Sequence, residues 1–314
     1  MSALFTIILP VFLVIGFGYL VAWRGWFGEA GVDGLMRFAQ NFAVPTLLFA
    51  SMARLDLGAE FRAPLLLAFY AGAFASYGAG WAGAKYLFGR SPADCVSIGF
   101  ACLFSNTLLL GVPITERAFG PDALAGNWAI ISIHSPLLYT FGITAMEFTR
   151  ARGSGLSVGT VALRALSGVL RTPLVIGIAC GLVMNLLMQA GLVMPAGFWA
   201  AVDMVARAAL PAALFGLGGI LHRYRPEGDM TTIALCCAAS LLLHPAITYG
   251  LGHLSGLDTA GMRSAVLTAA MAPGVNAYLF ANIYGAARRV AASTVLIGTA
   301  VSVLTVWMWL AVLP

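Results

Sequence analysis

SNTLLLGVPI, residues 105–114, interrupts an apolar segment long enough to cross a bilayer. It puts Asn106, Gly111 and Pro113 where a membrane helix ordinarily carries Leu, Val or Ala. Proline lacks a backbone donor and its ring clashes with the carbonyl four residues back, so Pro113 is expected to free the Leu109 carbonyl and break the helix near the bilayer midplane. Irregular backbone at that depth is tolerated only where protein or a water-filled cavity surrounds it. A second interrupted stretch, MAPGVNAYLF at residues 271–280, contains Pro273, Gly274 and Asn276. Paired interruptions in corresponding halves of a chain are the best sequence pointer to a transporter's binding site.

The composition fits that setting. The chain is 61% apolar and 9% charged with a mean hydropathy of +0.92, whereas soluble domains average roughly 25% charged residues. It reads as a polytopic membrane protein with about ten spans of about 20 residues. These fall near residues 3–23, 34–53, 64–88, 94–118, 125–148, 172–193, 200–221, 231–254, 263–284 and 290–313. The first apolar segment has no charged leader region and exceeds a signal sequence in length, so it is expected to remain as a span. The net charge of +5 resides at segment ends, as membrane orientation requires, and no basic cluster argues for nucleic acid. Cys95, Cys102, Cys180, Cys236 and Cys237 lie in or beside apolar segments without metal-ligand spacing, so no metal or cofactor is expected.

The connection over 151–171 divides the chain into two five-span halves, 1–150 and 172–314. Within it, Arg164 and Arg171 among Val161, Leu163, Leu166, Val169 and Leu170 suggest either a short interfacial amphipathic helix or a plain linker. NFAVPTLLFASMARL from Asn41 aligns without gaps to RAALPAALFGLGGIL from Arg207, matching Pro45 with Pro211 and Phe49 with Phe215. At the same offset the two interrupted spans coincide, and Gly18 has a loose counterpart in Gly181.

Basic residues set the orientation. With the N-terminus outside, the inner ends carry Arg24, Arg37, Lys85, Arg90, Arg150, Arg152, Arg164, Arg171, Arg223, Arg225, Arg288 and Arg289, and the outer ends only Arg54, Arg62, Arg117, Arg207 and Arg263. Both termini are therefore expected on the periplasmic face of a bacterial inner membrane. An odd number of spans per half makes the repeats inverted.

An amide at bilayer depth needs a partner, so Asn106 and Asn276 either cap half-helices, bind a ligand, or do both. Two half-helices meeting near the midplane direct N-terminal N–H groups into one cavity, a site for an anion without a buried Arg or Lys. His134 could titrate near neutral pH and couple protons, or stay neutral and hydrogen-bonded. The acids fall almost entirely in loops and span ends; Glu147 and Asp203 are the possible proton or ion sites, with surface anchoring the simpler role.

NTLLLGVP at residues 106–113 resembles the N-T-L-x-x-G-[IV]-P signature of the auxin efflux carrier family, as do PGVNAYLFA at 273–281 and HSPLLYT at 134–140. The resemblance extends over essentially the whole chain. It implies the inverted-repeat fold of bile-acid symporters and sodium/proton antiporters, all-helical, with a dimerising scaffold of spans 1, 2, 6 and 7. Spans 3–5 and 8–10 would form a transport domain moving as an elevator, with crossings at Pro113 and near Asn276. Substrate contacts carried over are Asn106, Thr107, Gly111, Pro113, Pro273, Gly274 and Asn276, with Asn41, Pro45 and Thr46 from span two and His134, Ser135 and Tyr139 from span five. The ninth-span proline of the plant members falls at Ala277 here, and their long loop between spans five and six is absent.

The leading expectation is a carrier of small organic anions such as malonate or malate. A proton- or sodium-coupled symporter of another amphipathic solute, or a channel or receptor on the same scaffold, is the alternative. An intramembrane enzyme would need a nucleophile and base, a metal cluster or an acidic pair at one depth; Ser135 and His134 are consecutive and point apart on a helix.

Overall fold

A computed structural model describes residues 4–150, 159, 163, 166–168, 170–227 and 229–314. Of the amphipathic helix considered over 161–171, residues 161, 162, 164, 165 and 169 lie outside that description. Every regular element among the described residues is helical. In chain order they are α1 (Leu9–Trp23), α2 (Glu29–Phe38), α3 (Val44–Ala53), α4 (Leu57–Glu60), α5 (Ala63–Tyr86), α6 (Pro92–Leu103), α7 (Val112–Phe119), α8 (Ala125–Arg150), α9 (Pro173–Gln189), α10 (Ala196–Arg223), α11 (Met230–Ala238), α12 (His244–Leu254), α13 (Thr259–Ala269), α14 (Val275–Tyr284) and α15 (Arg288–Val312). Among the described residues, six helical stretches are long and apolar enough to cross a membrane: Thr6–Trp23, Ala63–Tyr86, Pro121–Arg150, Ala196–Arg223, Met230–Leu254 and Arg288–Val312. The segments expected as spans four and nine are each split in two, α6 with α7 and α13 with α14.

Four five-residue π turns, Leu4–Ile8, Ala39–Ala43, Thr107–Gly111 and Ala239–Leu243, each run directly into an α-helix. The second residue of that helix is always proline: Pro10, Pro45, Pro113 and Pro245. A π turn bonds five residues back, so the wider coil accommodates a ring that has no N–H to give and would collide with an α-helical carbonyl. This corrects the expectation at Pro113. The chain is helical on both sides of it, and the break lies upstream, at Phe104–Asn106.

Carbonyls loosened by the turns before Pro245 and Pro45 find side-chain donors. The Leu241 carbonyl, four residues before Pro245, accepts from Trp309 Nε1 at 2.9 Å. Ser76 Oγ donates to the Ala239 carbonyl at 2.9 Å and Thr46 Oγ1 to the Phe42 carbonyl at 2.8 Å. Donation of this kind is how a membrane helix tolerates proline. Pro211, aligned in sequence with Pro45, instead lies inside continuous α-helix, so the two prolines differ locally.

The contacts divide the chain into two compact units: Met1–Pro10, Phe61–Leu166 and Tyr224–Pro314 form one, and Val11–Glu60 with Ser167–Arg223 the other. In the larger unit Phe69, Phe100 and Phe280 are fully buried, and the Phe100 and Phe280 rings stack with centroids 4.0 Å apart. Asp258 starts α13 by accepting from Gly261 N at 2.9 Å and from Arg62 Nη2 at 2.8 Å. The Arg62 bond, and then the Gly261 bond, hold its carboxyl below the ordinary carboxylate range.

The smaller unit is packed backbone to backbone. A Cβ on Gly18 of α1 would lie 2.0 Å from the Phe215 carbonyl oxygen of α10, and one on Gly181 of α9 would lie 2.6 Å from the Phe49 carbonyl oxygen of α3. Phe49 and Phe215 are the residues matched between the two halves of the sequence, so the two contacts exchange the roles of the halves. One helical turn beyond Gly181, Asn185 Nδ2 donates to the carbonyls of Met52, Ala53 and Leu55 at 3.1, 3.0 and 2.7 Å. That amide covers the carbonyls left open at the end of α3. Small residues permit such approach where lipid provides no hydrophobic drive for helices to associate.

Gly18→Val is expected to cost on the order of 2 kcal/mol through overpacking, whereas Gly16→Val, at a position with nothing within 4 Å, is expected to be nearly neutral. Thermal unfolding of both variants in detergent checks this, and equal midpoints would contradict the close packing.

Candidate functional site

The two broken helices join at their breaks. Phe104 (φ −92°, ψ 83°) and Asn106 (φ −79°, ψ 64°) leave the helical region and form tight inverse turns, with Ser105 N donating to the Leu103 carbonyl and Thr107 N to the Ser105 carbonyl. Ser105 then pairs antiparallel with Pro273. Asn106 N donates to the Ala272 carbonyl at 2.8 Å and Gly274 N to the Phe104 carbonyl at 2.9 Å. Each break thus satisfies the backbone of the other. Proline suits position 273 because this short bridge needs no donor there. Behind it lies Gly298 of α15, where an added Cβ would be 3.0 Å from Pro273 Cδ.

The second break occupies 270–274, and Gly274 is the N-cap of α14. The crossing is therefore at Ser105 and Pro273, upstream of Pro113 and, as expected for the second break, near Asn276. Asn276 lies one residue inside α14, half-buried, and its side-chain amide has no hydrogen bond among the described residues. Asn106 Oδ1 caps the π turn by accepting from Leu109 N at 3.2 Å. Its Nδ2 is left without a bond among the described residues, although the residue is only 8% exposed. One end of the amide therefore caps and the other is open.

The remaining residues expected at the site separate into two groups. Thr107 and Gly111 bound the π turn after Asn106, with Gly111 N donating to the Asn106 carbonyl at 3.1 Å, and Pro113 is buried at the start of α7. Tyr139 reaches the second break through a long 3.5 Å contact from its hydroxyl to the Asn276 carbonyl, and its ring lies 5.4 Å from that of Phe104. His134 is buried against the same Phe104 ring, with centroids 4.7 Å apart, and beside the Ser105 backbone. Neither His134 ring nitrogen nor Ser105 Oγ has a hydrogen-bond partner among the described residues. Ser135 is half-buried on the same helix. Asn41, Pro45 and Thr46 belong to the other unit: Asn41 is exposed in a π turn, Pro45 packs its backbone against Gly177, and the Thr46 hydroxyl bonds its own helix.

Three features were not anticipated. Asn127 Nδ2, fully buried in α8, donates to Thr115 Oγ1 at 3.2 Å and Thr268 Oγ1 at 2.7 Å, tying α7 to α13 behind the crossing. His244, fully buried in α12, pairs its Nε2 with the Phe69 carbonyl at 3.1 Å. Ser105 itself provides the bridge. The depth rule that singled out Asn106 applies equally to Asn127 and His244, each set in an apolar run. The two candidate acids lie elsewhere: Asp203 forms a two-pronged pair with Arg54, and Glu147 lies beside Tyr284.

Residues 3–310 match the family described as Membrane transport protein. The chain belongs to that family, the auxin efflux carriers. A protein of Rhizobium meliloti (strain 1021) named "Putative malonate transporter" is 26% identical over 307 residues, which are 98% of this chain and 94% of that protein. In Escherichia coli (strain K12), "Uncharacterized transporter YfdV" is 22% identical over 308 residues, 96% of this chain and 95% of that protein. The auxin efflux carrier match thus includes both broken helices, and its relatives are named as transporters.

His134 tests what the unmet nitrogens are for. Buried polar groups without partners cost about 1–3 kcal/mol, so His134→Phe is expected to leave thermal stability unchanged or raise it. A fall in the unfolding midpoint would show that the imidazole is bonded in the resting protein.

Proposed function

We propose that this auxin efflux carrier moves small organic anions, carboxylates of the malonate or malate class, and binds them where α6–α7 crosses α13–α14. The observation carrying the reading is the joined pair of breaks at Ser105 and Pro273, ringed by polar groups that the protein leaves unmet: Asn106 Nδ2, Ser105 Oγ, the His134 nitrogens and the Asn276 amide. Most of these can donate. The opening N–H groups of α14 add donors and a positive dipole end, because the first N–H groups of a helix lack intrahelical partners. No Asp, Glu, Lys or Arg lies in either broken stretch, 105–114 or 271–280, which suits an anion better than a cation. The name of the Rhizobium meliloti relative supports the substrate class.

The mechanism we propose is an elevator. The unit of Phe61–Leu166 and Tyr224–Pro314 carries the crossing and translates, while the unit of Val11–Glu60 and Ser167–Arg223 stays fixed as a scaffold and pairs with a second copy. Backbone-to-backbone packing of α1 with α10 and of α3 with α9 supports a stiff scaffold. The exchanged Gly18–Phe215 and Gly181–Phe49 contacts support an inverted repeat. The membrane in this reading is a bacterial inner membrane with both termini outside.

Asn106→Asp keeps the acceptor for Leu109 N and, when ionised, repels an anion. Uptake of labelled malonate into liposomes is expected to fall about ten- to a hundredfold, the value of one charge-assisted hydrogen bond, in protein that still purifies as a folded, monodisperse species. Unaltered uptake would remove Asn106 from the site. If His134 couples protons, His134→Gln flattens the pH dependence of uptake; an unaltered profile makes its role one of packing.

A further inference from the structure

The scaffold unit holds a pocket of about 620 Å³ where the C-terminal ends of α3 and α9 meet the first three turns of α10. Trp199, Asp203 and Arg207 line it at four-residue spacing along α10, facing Arg54, the C-cap of α3. Arg54 donates from Nη1 and Nη2 to the two carboxylate oxygens of Asp203 at 2.9 and 3.1 Å, and its guanidinium sits 4.5 Å over the Trp199 ring. Both oxygens of the carboxylate are thereby engaged and its charge is matched. Arg207 is the cation left over. It is exposed, makes no hydrogen bond or ion pair among the described residues, and acts on Asp203 only through its charge.

The depth of the pocket identifies the anion. α10 spans 28 residues, about 42 Å at 1.5 Å per residue, against about 30 Å of hydrocarbon. With His222 and Arg223 anchoring its other end, the first two turns, Ala196 to Asp203, stand at headgroup level and Arg207 lies just below, within reach of the surface by snorkelling. Tryptophan is the residue that favours this boundary. Met188 and Met204 complete an apolar wall on the lipid side, and Met204 is 74% exposed.

We propose that this pocket binds the phosphate of an anionic phospholipid: Arg207 donates to the phosphate oxygens, Arg54 is held in place by Asp203, and the acyl chains run along Met188 and Met204. The site is independent of the transported substrate and would fasten the scaffold to one leaflet.

The test is native mass spectrometry of the full-length protein titrated with phosphatidylglycerol and with phosphatidylcholine. Phosphatidylglycerol is expected to bind about fivefold more tightly, as one interfacial arginine provides. Arg207→Gln should abolish the preference and Arg207→Lys largely restore it, while Arg288→Gln, in the other unit, should leave it intact. Equal binding of the two lipids, or a preference that survives Arg207→Gln, overturns the proposal. Displacement of the lipid by millimolar glycerol phosphate would overturn the lipid assignment in favour of a soluble phosphate. Conversion of dimer to monomer by Arg207→Gln with lipid preference kept would show a second copy in the pocket, and also overturns it.

Discussion

Backbone polar groups have no water to bond with in the middle of a bilayer, so a helix that stops there must hand its N–H and carbonyl groups to something else. This protein hands them to its second broken helix. Two hydrogen bonds, from Asn106 to Ala272 and from Gly274 to Phe104, replace the helical bonds that each break gives up. The surrounding elements hold that junction in place: Gly298 lets α15 press against Pro273, Asp258 and Arg62 fix the start of α13, and Asn127 ties α13 to α7. With its backbone satisfied in this way, the crossing leaves Ser105 Oγ and the His134 nitrogens without partners among the described residues.

The same constraint explains how the chain uses proline. At four places among the described residues a π turn precedes the ring and the helix continues, and at those before Pro245 and Pro45 the side chains of Trp309, Ser76 and Thr46 serve nearby carbonyls. Proline thus marks where the coil widens, and the breaks come where the chain instead turns tightly at Phe104–Asn106 and 270–274. In the scaffold unit the equivalent economy is glycine, which brings α1 onto α10 and α9 onto α3 until backbone meets backbone. Asn185 then covers the end of α3 in the way Asn106 covers the start of its π turn.

Much of the candidate site was legible because an amide in an apolar segment is costly and so conspicuous. Asn106 and Asn276 both flank the crossing, and His134 and Tyr139 pack around Phe104 beside it. Pro113 misled because the clash of a proline ring is a local rule, and a wider turn relieves it without breaking the helix. His244 and the Asn127–Thr115–Thr268 cluster stayed hidden because their significance lies in which helix they face. A sequence read along one dimension does not contain that information.

The amino-acid sequence alone determined that the chain lives in a membrane, that two of its apolar segments are interrupted, and that the interruptions carry amides instead of charges. These follow from composition and from the chemistry of single residues, which need no partner to be read. Only the tertiary structure decided that the breaks bond to each other at Ser105 and Pro273, that Gly18 and Gly181 meet the backbone at Phe215 and Phe49, and that Arg207 has no partner among the described residues beside the Arg54–Asp203 pair. Each of those facts is a distance between residues far apart in the chain, set by how the helices pack.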